Sequence, residues 1–235
     1  MGWIEHDHAS LDALVAHIAD DLQQACAVAM RERGMAWLAL AGGRTPLPIY
    51  ARLAASADAG NVTALPTDER CVPHEHPACN LKALRSAFAG SDGIVVTSLT
   101  RVDGDIDASL KQSRSLLGLN RQAFDGVLLG MGADGHFASL FPGAVNLRDG
   151  LAIDSGLDAI ATLPDPLPPE APFARISLTL PRLLRARCIH LVVTGEDKRR
   201  VLRHAQQQDT ADGAPVAALL HARDHRVQIH WSPLP

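Results

Sequence analysis

The sequence predicts an α/β fold in which a mostly parallel sheet carries helices on both faces. Short, continuously apolar runs recur along the chain, and such runs are typical of strands buried on both sides. Each run is followed by a glycine-containing turn and then by a stretch with helical character. Strands that alternate with helices in this way favour a parallel sheet. The runs are AWLALA at 36–41, FDGVLLG at 124–130 and CIHLVVT at 188–194.

The other elements follow from the spacing of apolar residues and from capping residues. Residues 10–33 repeat apolar side chains at helical intervals, with Ser10 predicted as the N-cap and Gly34 as the end of the helix. After the first buried strand, Thr45 is predicted to cap a helix that has Pro46 at its first position. Further helices are predicted at 77–89, 105–119, 196–208 and 215–221, and further strands at 61–66, 174–180 and 226–231.

A proline-rich stretch interrupts this alternation at 162–173. It contains five prolines, which exclude a helix or a central strand, so we expect an extended loop. The strand predicted after it has no separate core to join. We therefore expect a single domain that spans residues 1–235.

Composition excludes several classes of function. The 235 residues are 47% hydrophobic and 20% charged, with a net charge of −4, which suits a soluble protein without the basic stripe of a nucleic-acid-binding surface. The start of the chain lacks the pattern of a signal peptide, and no apolar run is long enough to cross a membrane. The four cysteines form no C-x-x-C pair. We expect a cytoplasmic protein with reduced thiols that acts as a monomer or weak homodimer.

Two polar loops that follow predicted strands are candidate anion sites. In open α/β sheets, ligands bind beyond the carboxyl ends of the strands. AGGRTP at 41–46 places glycine backbone at a helix N-terminus, where free N–H groups favour an anion such as phosphate. TGEDK at 194–198 places Lys198 against the dipole of a helix, which an anion nearby would explain. The alternatives are an ordinary tight turn and a solvated surface lysine.

A third loop, at 67–80, is dense in polar groups. Arg70 lies at a predicted strand end and is a candidate to grip phosphate or carboxylate with two N–H groups, the alternative being a surface ion-pair cluster. Two cysteines and two histidines in this loop raise the question of zinc, but they are crowded into nine residues with two prolines, unlike structural zinc sites. We expect no metal there. The four residues are Cys71, His74, His76 and Cys79.

The fourth loop, at 130–143, reads GMGADGHFASLFPG. Its glycines allow sharp turns, after which His136 is predicted to begin a short helix formed by 138–141. A helix N-terminus disfavours the imidazolium, so the ring is expected to be neutral and able to act as a base, with Asp134 close enough to orient it. The alternatives are a metal ligand and a core histidine satisfied by backbone.

These motifs resemble those of the 6-phosphogluconolactonase family, in its bacterial single-domain form, and follow the family order over nearly the whole chain. They are GGRTP (42–46), DERCVP (68–73) with Asn80, GMGADGHFASLFPG (130–143), RISLTLP (175–181) and TGEDK (194–198). The resemblance implies a three-layer α/β/α sandwich with a mostly parallel, Rossmann-like sheet, as in sugar-phosphate isomerases and deaminases. It also implies hydrolysis of 6-phospho-D-glucono-1,5-lactone to 6-phosphogluconate in the oxidative pentose phosphate pathway, without metal or organic cofactor.

Carried over residue by residue, the resemblance also implies the site. The catalytic positions are His136, Arg70 and Asp68. The substrate and phosphate contacts are Gly42, Gly43, Arg44, Thr45, Asn80, Asp134, Gly135 and Lys198. His136 would deprotonate the water that attacks the lactone carbonyl and would then protonate the departing ring oxygen. Arg70 and loop N–H groups are candidates to stabilise the oxyanion.

The sequence departs from the family pattern at two positions near the expected site. Arg44 stands where the family has serine, which leaves its contact with the phosphate open. Pro66 is expected to break the ladder of strand 61–66 and displace that edge. Two competing functions remain: a glucosamine-6-phosphate deaminase or isomerase on the same fold, and a non-catalytic sugar-phosphate-binding protein. Arg70 and the sequence after His136 disfavour the first.

Overall fold

The computed structural model describes residues 2–55, 60–164, 172–208, 213–222 and 225–233. Seven strands form a central sheet in which every neighbouring pair is parallel, in the order β1-β10-β9-β6-β2-β3-β5. They are β1 (Trp3–Asp7), β2 (Ala36–Leu40), β3 (Val62–Pro66), β5 (Ile94–Val96), β6 (Gly126–Gly130), β9 (Ile189–Thr194) and β10 (Val227–Ser232). The predicted parallel sheet is confirmed.

Three further strands form a separate antiparallel sheet in the order β4-β8-β7. They are β4 (Asp68–Arg70), β7 (Ala159–Thr162) and β8 (Arg175–Leu178). The strand predicted at 174–180 therefore exists, but it pairs outside the parallel sheet. Its register places Arg175 directly opposite Arg70.

Helices cover both faces of the central sheet. Within the described residues they are α1 (Leu11–Arg33), α2 (Leu47–Ala54), α3 (Asn80–Ala87), α4 (Ile106–Leu119), α5 (Leu147–Leu151), α6 (Leu180–Leu184), α7 (Glu196–Gln207) and α8 (Val216–Leu220). Helices predicted at 77–89, 105–119, 196–208 and 215–221 correspond to α3, α4, α7 and α8. No helix in the described part of the chain combines the length and the apolar character needed to cross a bilayer.

Strand β2 shows how the sheet separates two cores. Its side chains alternate between the faces, so Leu38 and Leu40 pack with α1, α2 and α3, whereas Trp37 and Ala39 pack with α4, α6, α7, α8 and the small sheet. All five residues of β2 are buried, which explains its continuously apolar sequence. The predicted three-layer arrangement is confirmed.

The ends of the first two helices show where capping can be read from sequence. At α1, the Ser10 side chain accepts a hydrogen bond from the backbone, and Gly34 closes the helix with φ of 71°, as predicted. The prediction that Thr45 caps α2 is wrong, because the helix begins at Leu47 with Pro46 in the cap position. The N–H of Leu47 donates to the Arg44 carbonyl instead (3.2 Å).

The expectation that Pro66 disrupts its strand is also wrong. Pro66 ends β3 in register with Leu40 of β2. The Val62 N–H points to the β5 side, where it donates to the Gly93 carbonyl, and the nitrogen of Pro66 faces the same way because the two positions have the same parity. There β5 has already ended at Val96, so no ladder bond is lost.

Strands β1, β4, β5 and β7 have no counterpart among the predicted elements. Three of them have only three or four residues, and β1 ends in three polar residues after two apolar ones, so none shows an apolar run as long as those of β2, β6 and β9. Of the proline-rich stretch predicted as an extended loop, residues 165–171 lie outside the described residues.

Candidate active site

A cavity of about 290 Å³ opens at the carboxyl ends of β2, β3, β6 and β9, where an open α/β sheet binds its ligands. Nine of the eleven predicted site residues line it, and Asp134 and Gly135 do not. The nine are Gly42, Gly43, Arg44, Thr45, Asp68, Arg70, Asn80, His136 and Lys198. The strand-end loops thus meet as the parallel order predicts.

His136 is oriented by the carboxylate of Asp134. Its Nδ1 lies 2.6 Å from Asp134 Oδ1, and its ring packs against Phe141 with centroids 4.3 Å apart. Burial raises the pKa of the Asp134 carboxyl, but hydrogen bonds from His136 outweigh it and hold this pKa below its usual value. With its Nδ1–H donated to the carboxylate, a neutral ring keeps the Nε2 lone pair available to the cavity that it lines.

The prediction of a short helix after His136 is wrong. Residues 137–140 form a tight turn closed by the N–H of Leu140 and the Phe137 carbonyl (3.0 Å). Ala138 within it has φ of 47°, in the left-handed region that a continuing helix cannot include. No helix N-terminus therefore acts on the His136 ring. The hydrogen bond to Asp134 fixes the tautomer instead.

Two glycines of this loop are required by close packing rather than by the cavity. A Cβ on Gly132 would lie 2.1 Å from His136 Nδ1, so the ring rests directly on the Gly132 backbone. Gly135 has φ of 78°, and a Cβ there would lie 2.7 Å from the Cβ of Ala214. Gly135 thus packs the loop against the segment before α8. Asp134, which does not line the cavity either, contacts His136.

The DER motif places its three side chains on two sides of β4. Asp68 and Arg70 line the cavity, whereas Glu69 is fully buried on the other side. The Glu69 carboxylate accepts the backbone N–H groups of Arg70, Asn80 and Leu81 at 2.6 to 2.8 Å, two of which begin α3. Burial raises the Glu69 pKa to about 7, although these hydrogen bonds lower it. Glu69 therefore serves as an external cap for α3.

Asp68 ties the loop that carries His136 to the small sheet. Its carboxylate accepts a hydrogen bond from the Ser139 hydroxyl, three residues beyond His136. The backbone N–H of Ser139 donates in turn to the Ser177 hydroxyl of β8 (3.1 Å). Asp68 thus positions the loop by its own buried contacts at the cavity wall.

The small sheet brings two guanidinium groups to the same wall. Arg70 and Arg175 are paired across β4 and β8, and both line the cavity. Arg70 donates to the Ala78 carbonyl (2.6 Å), while its Nε is buried without a partner among the described residues. Burial lowers the pKa of Arg175; the Asp68 carboxylate raises it, and the charge of Arg70 lowers it. Two adjacent cations favour an anionic group on the ligand.

Arg175 also lines the cavity, although it is not among the predicted site residues. It begins the RISLTLP motif, which supports the family resemblance without showing the direction of its side chain. Only the antiparallel pairing with Arg70 brings it to the cavity.

The glycine loop after β2 is held by Asn80. A Cβ on Gly42 would lie 2.1 Å from Asn80 Oδ1, so the amide packs directly on the loop backbone. Asn80 Nδ2 also donates to the Asp68 carbonyl (2.8 Å), which joins the glycine loop to the DER motif. Gly43 has φ of 95°, a conformation that favours glycine. Arg44 is exposed at the mouth of the cavity that it lines.

Lys198 lies in the first turn of α7, after Gly195 in the cap position. Burial lowers its pKa, while the nearby Asp134 carboxylate raises it. Two neighbouring arginines point elsewhere: Arg199 stacks on Trp231 at 3.8 Å from the ring centroid, and Arg200 pairs with an aspartate in the same turn. Within the described chain, Lys198 is the cation of this helix that lines the cavity.

The residues of the C-x2-H-x-H-x2-C pattern contact different parts of the protein. His74, His76 and Cys79 each face a different protein group. Burial raises the pKa of the Cys71 and Cys79 thiols to about 11, which disfavours the thiolate form that zinc binds.

Known proteins match the chain along nearly its whole length. The family described as "Glucosamine-6-phosphate isomerases/6-phosphogluconolactonase" matches residues 9–231. The chain belongs to this family. A 6-phosphogluconolactonase of Pseudomonas putida is 34% identical over 97% of this chain and 92% of its own length. A 6-phosphogluconolactonase of Caulobacter vibrioides is 34% identical over 91% of this chain and 90% of its own length.

Solved structures confirm the fold. A 6-phosphogluconolactonase from Shewanella baltica superposes with a TM-score of 0.89 at 29% identity, covering 98% of this chain and 97% of its own. A monomeric glucosamine-6-phosphate deaminase superposes with a TM-score of 0.77, covering 96% of each chain, but at 18% identity this likeness concerns the fold alone. The family resemblance predicted from the motifs is confirmed.

Proposed function

We propose that the chain hydrolyses 6-phospho-D-glucono-1,5-lactone to 6-phosphogluconate, a step of the oxidative pentose phosphate pathway, with His136 as general base. The observation that carries this proposal is the placement of His136. Its Nδ1 is held by Asp134, and its ring lines the same cavity as two paired arginines and a lysine. The name 6-phosphogluconolactonase borne by relatives at 34% identity supports the same reaction.

The reaction needs one proton transfer in each direction. Nε2 of neutral His136 takes a proton from water as the oxygen attacks the lactone carbonyl. The tetrahedral intermediate then collapses, the bond to the ring oxygen breaks, and the imidazolium returns the proton to that oxygen. The Asp134 carboxylate stabilises the imidazolium between the two steps. General acid–base catalysis of this kind contributes about 100- to 10,000-fold.

Arg70 and Arg175 are the candidates for stabilising the oxyanion. Both guanidinium groups face the cavity from the small sheet, and the buried Nε of Arg70 lacks a partner among the described residues. N–H groups held in place before the reaction cost no reorganisation when charge develops on the carbonyl oxygen. Asp68 positions the neighbouring loop through Ser139.

The phosphate is assigned to the part of the cavity formed by the glycine loop and α7. Gly43, Arg44 and Thr45 line it from the glycine loop, and Lys198 lines it from α7. The loop offers backbone close to the ligand, and the two cations match the double negative charge of a phosphate monoester. Arg44 in place of the family's serine adds a cation at the cavity mouth.

We further propose that residues 1–235 act as one domain in the cytoplasm, as a monomer or weak homodimer, without nucleic acid or membrane as partner. All the groups assigned to the reaction come from one chain and need no contribution from a second copy. The four cysteines are free thiols, which fits a reducing compartment. Size-exclusion chromatography with light scattering tests the oligomeric state.

The decisive experiment is a coupled assay on freshly generated 6-phosphogluconolactone, with the spontaneous opening subtracted. We expect the purified chain to accelerate lactone opening in proportion to its concentration and to leave glucosamine 6-phosphate unchanged. Deamination or isomerisation of glucosamine 6-phosphate would instead support the competing enzyme. Binding of 6-phosphogluconate without any acceleration would support a non-catalytic sugar-phosphate-binding protein.

A further inference from the structure

Five histidines cluster on one face of the central sheet, at its β1-β10-β9 edge. The histidine cluster comprises His6, His8, His17, His190 and His230. Four of these lie on or beside neighbouring strands. His6 is in register with His230, and His190 with the residue two before His230. Because side chains two residues apart share a face, these strands bring four imidazoles together.

Helix α1 packs across this face and completes the cluster. It presents His17 and, one turn later, Asp21, whose carboxylate lies 3.4 Å from His17 Nε2. The His17 ring lies 5.1 Å from the His230 ring between centroids. The cluster is thus enclosed by a helix on one side and three strands on the other.

His230 is the centre of the cluster, and both its nitrogens face other imidazoles. Its Nδ1 lies 3.1 Å from His8 Nε2, and its Nε2 lies 3.0 Å from His190 Nδ1. His230 and His190 are fully buried, and His190 Nε2 has no hydrogen-bond partner among the described residues. A buried polar group without a partner is costly, so packing alone is a poor explanation for this arrangement.

We propose that His8, His17 and His230 bind a divalent transition metal of the zinc class, with water as a further ligand. One ligand atom from each lies within 4.8 Å of the others. The 3.1 Å between His8 Nε2 and His230 Nδ1 is close to the edge of a tetrahedral site, about 3.3 Å for Zn–N bonds of 2.0–2.1 Å. Imidazole ligands suit Zn²⁺, Ni²⁺ and Cu²⁺.

The neighbours of these ligands fit the same assignment. Binding through Nδ1 leaves the His230 proton on Nε2, which faces His190 Nδ1. The Asp21 carboxylate beside His17 is a partner of the type that orients metal-binding histidines. Asp21, His190 and His230 form a second compact triad, but its two histidines are buried. The half-exposed His8 and His17 give an ion access to the first triad.

The proposed site is separate from the lactonase reaction. None of the five histidines lines the catalytic cavity. A metal there would join the edge strand β1 and helix α1 to β10, and it would stabilise the folded chain because the ligands are brought together only on folding.

The test uses protein made without a histidine tag and stripped with EDTA. We expect Zn²⁺ titrated into it by calorimetry to bind at one equivalent, and Co²⁺ to give the visible absorption of a tetrahedral site. His8→Ala and His17→Ala should each weaken Zn²⁺ binding at least about 10-fold, the smaller end of losses seen even for residues that only orient ligands. His204→Ala removes an exposed histidine of α7 and should change nothing.

A thermal unfolding series separates a metal site from a merely structural cluster. Zn²⁺ should raise the Tm of wild type and of His204→Ala, but not of His8→Ala or His17→Ala, measured against each protein's own value in EDTA. The proposal is overturned if wild type binds no stoichiometric Zn²⁺, or if all three variants bind it equally well. Lactone hydrolysis measured on the EDTA-treated protein reports separately on the proposed function.

Discussion

Two carboxylates near the cavity have the same chemistry and opposite surroundings. Asp134 has a half-exposed side chain and faces a histidine, and hydrogen bonds hold its pKa below the usual value. Glu69 is fully buried and faces three backbone N–H groups, and burial raises its pKa to about 7. The first contacts the histidine that we propose as the general base, whereas the second fixes the start of a helix. The partner of a carboxylate and its access to water thus decide between catalysis and stability.

The largest expected effect comes from removing the base that Asp134 orients. His136→Asn should lower kcat for lactone opening about 100- to 10,000-fold, the usual contribution of general acid–base catalysis. The KM should change little, because the arginines and the lysine of the cavity remain. Steady-state kinetics above the spontaneous background measure both. His204→Asn, at an exposed position of α7, is the control. Wild-type turnover in His136→Asn would refute the base assignment.

Replacing Asp134 by asparagine tests whether its carboxylate orients His136. In Asp134→Asn an amide replaces the acceptor of the His136 Nδ1–H, so the tautomer with a free Nε2 is no longer favoured. We expect kcat to fall about 10- to 100-fold. This is less than the roughly 10,000-fold that follows amidation of a buried orienting aspartate, because Asp134 is half exposed. A pH profile of kcat is the sharper measurement, and an unchanged profile would remove Asp134 from the mechanism.

Local sequence was enough to predict the parts of the structure that depend on residues adjacent in the chain. The buried strands β2, β6 and β9 were predicted from continuous apolar runs, because burial on both faces leaves no polar positions. Nine of the eleven predicted site residues line one cavity, since parallel strands bring their carboxyl ends to one edge. The helix predicted after His136 fails because Ala138 adopts a left-handed conformation that nothing in its sequence requires.

Features that depend on strand partners could not be predicted. Arg175 reaches the cavity only because β8 pairs with β4, and the spacing of apolar residues gives no information about that partner. The histidine cluster requires the register of three strands from opposite ends of the chain. Such long-range pairings are set by the assembled fold.

Glu69 gives the contrasting prediction for stability. Its folded pKa of about 7 lies above the unfolded value near 4.5, so between these values the folded chain holds a proton that the unfolded chain has lost. The contribution of protonated Glu69 to the free energy of unfolding is therefore present at low pH and is lost as the pH rises through 7. Between pH 5 and pH 8 we expect wild type to lose about 2–3 kcal/mol of unfolding free energy relative to Glu69→Gln.

Urea denaturation at each pH measures the free energy of unfolding of both proteins. Comparing how this free energy changes with pH removes any constant cost of the substitution. Glu75→Gln is the matched control, because the Glu75 side chain is 94% exposed. Parallel pH profiles for wild type and Glu69→Gln would mean that the three backbone hydrogen bonds outweigh burial. Glu69 would then be ionised, like Asp134, and the contrast between the two carboxylates would be one of partner alone.

The smallest expected effect concerns Lys198, which is also close to Asp134. Lys198→Ala should raise the KM for the phosphorylated lactone about 10-fold and leave kcat nearly unchanged. A charged hydrogen bond contributes about 1.5–3 kcal/mol, and in the variant Arg44 would still bind the phosphate. Arg200→Ala is the matched control two residues along α7, since the Arg200 side chain is 74% exposed. If Lys198→Ala lowered kcat with no change in KM, the lysine would serve His136 through Asp134 rather than the phosphate.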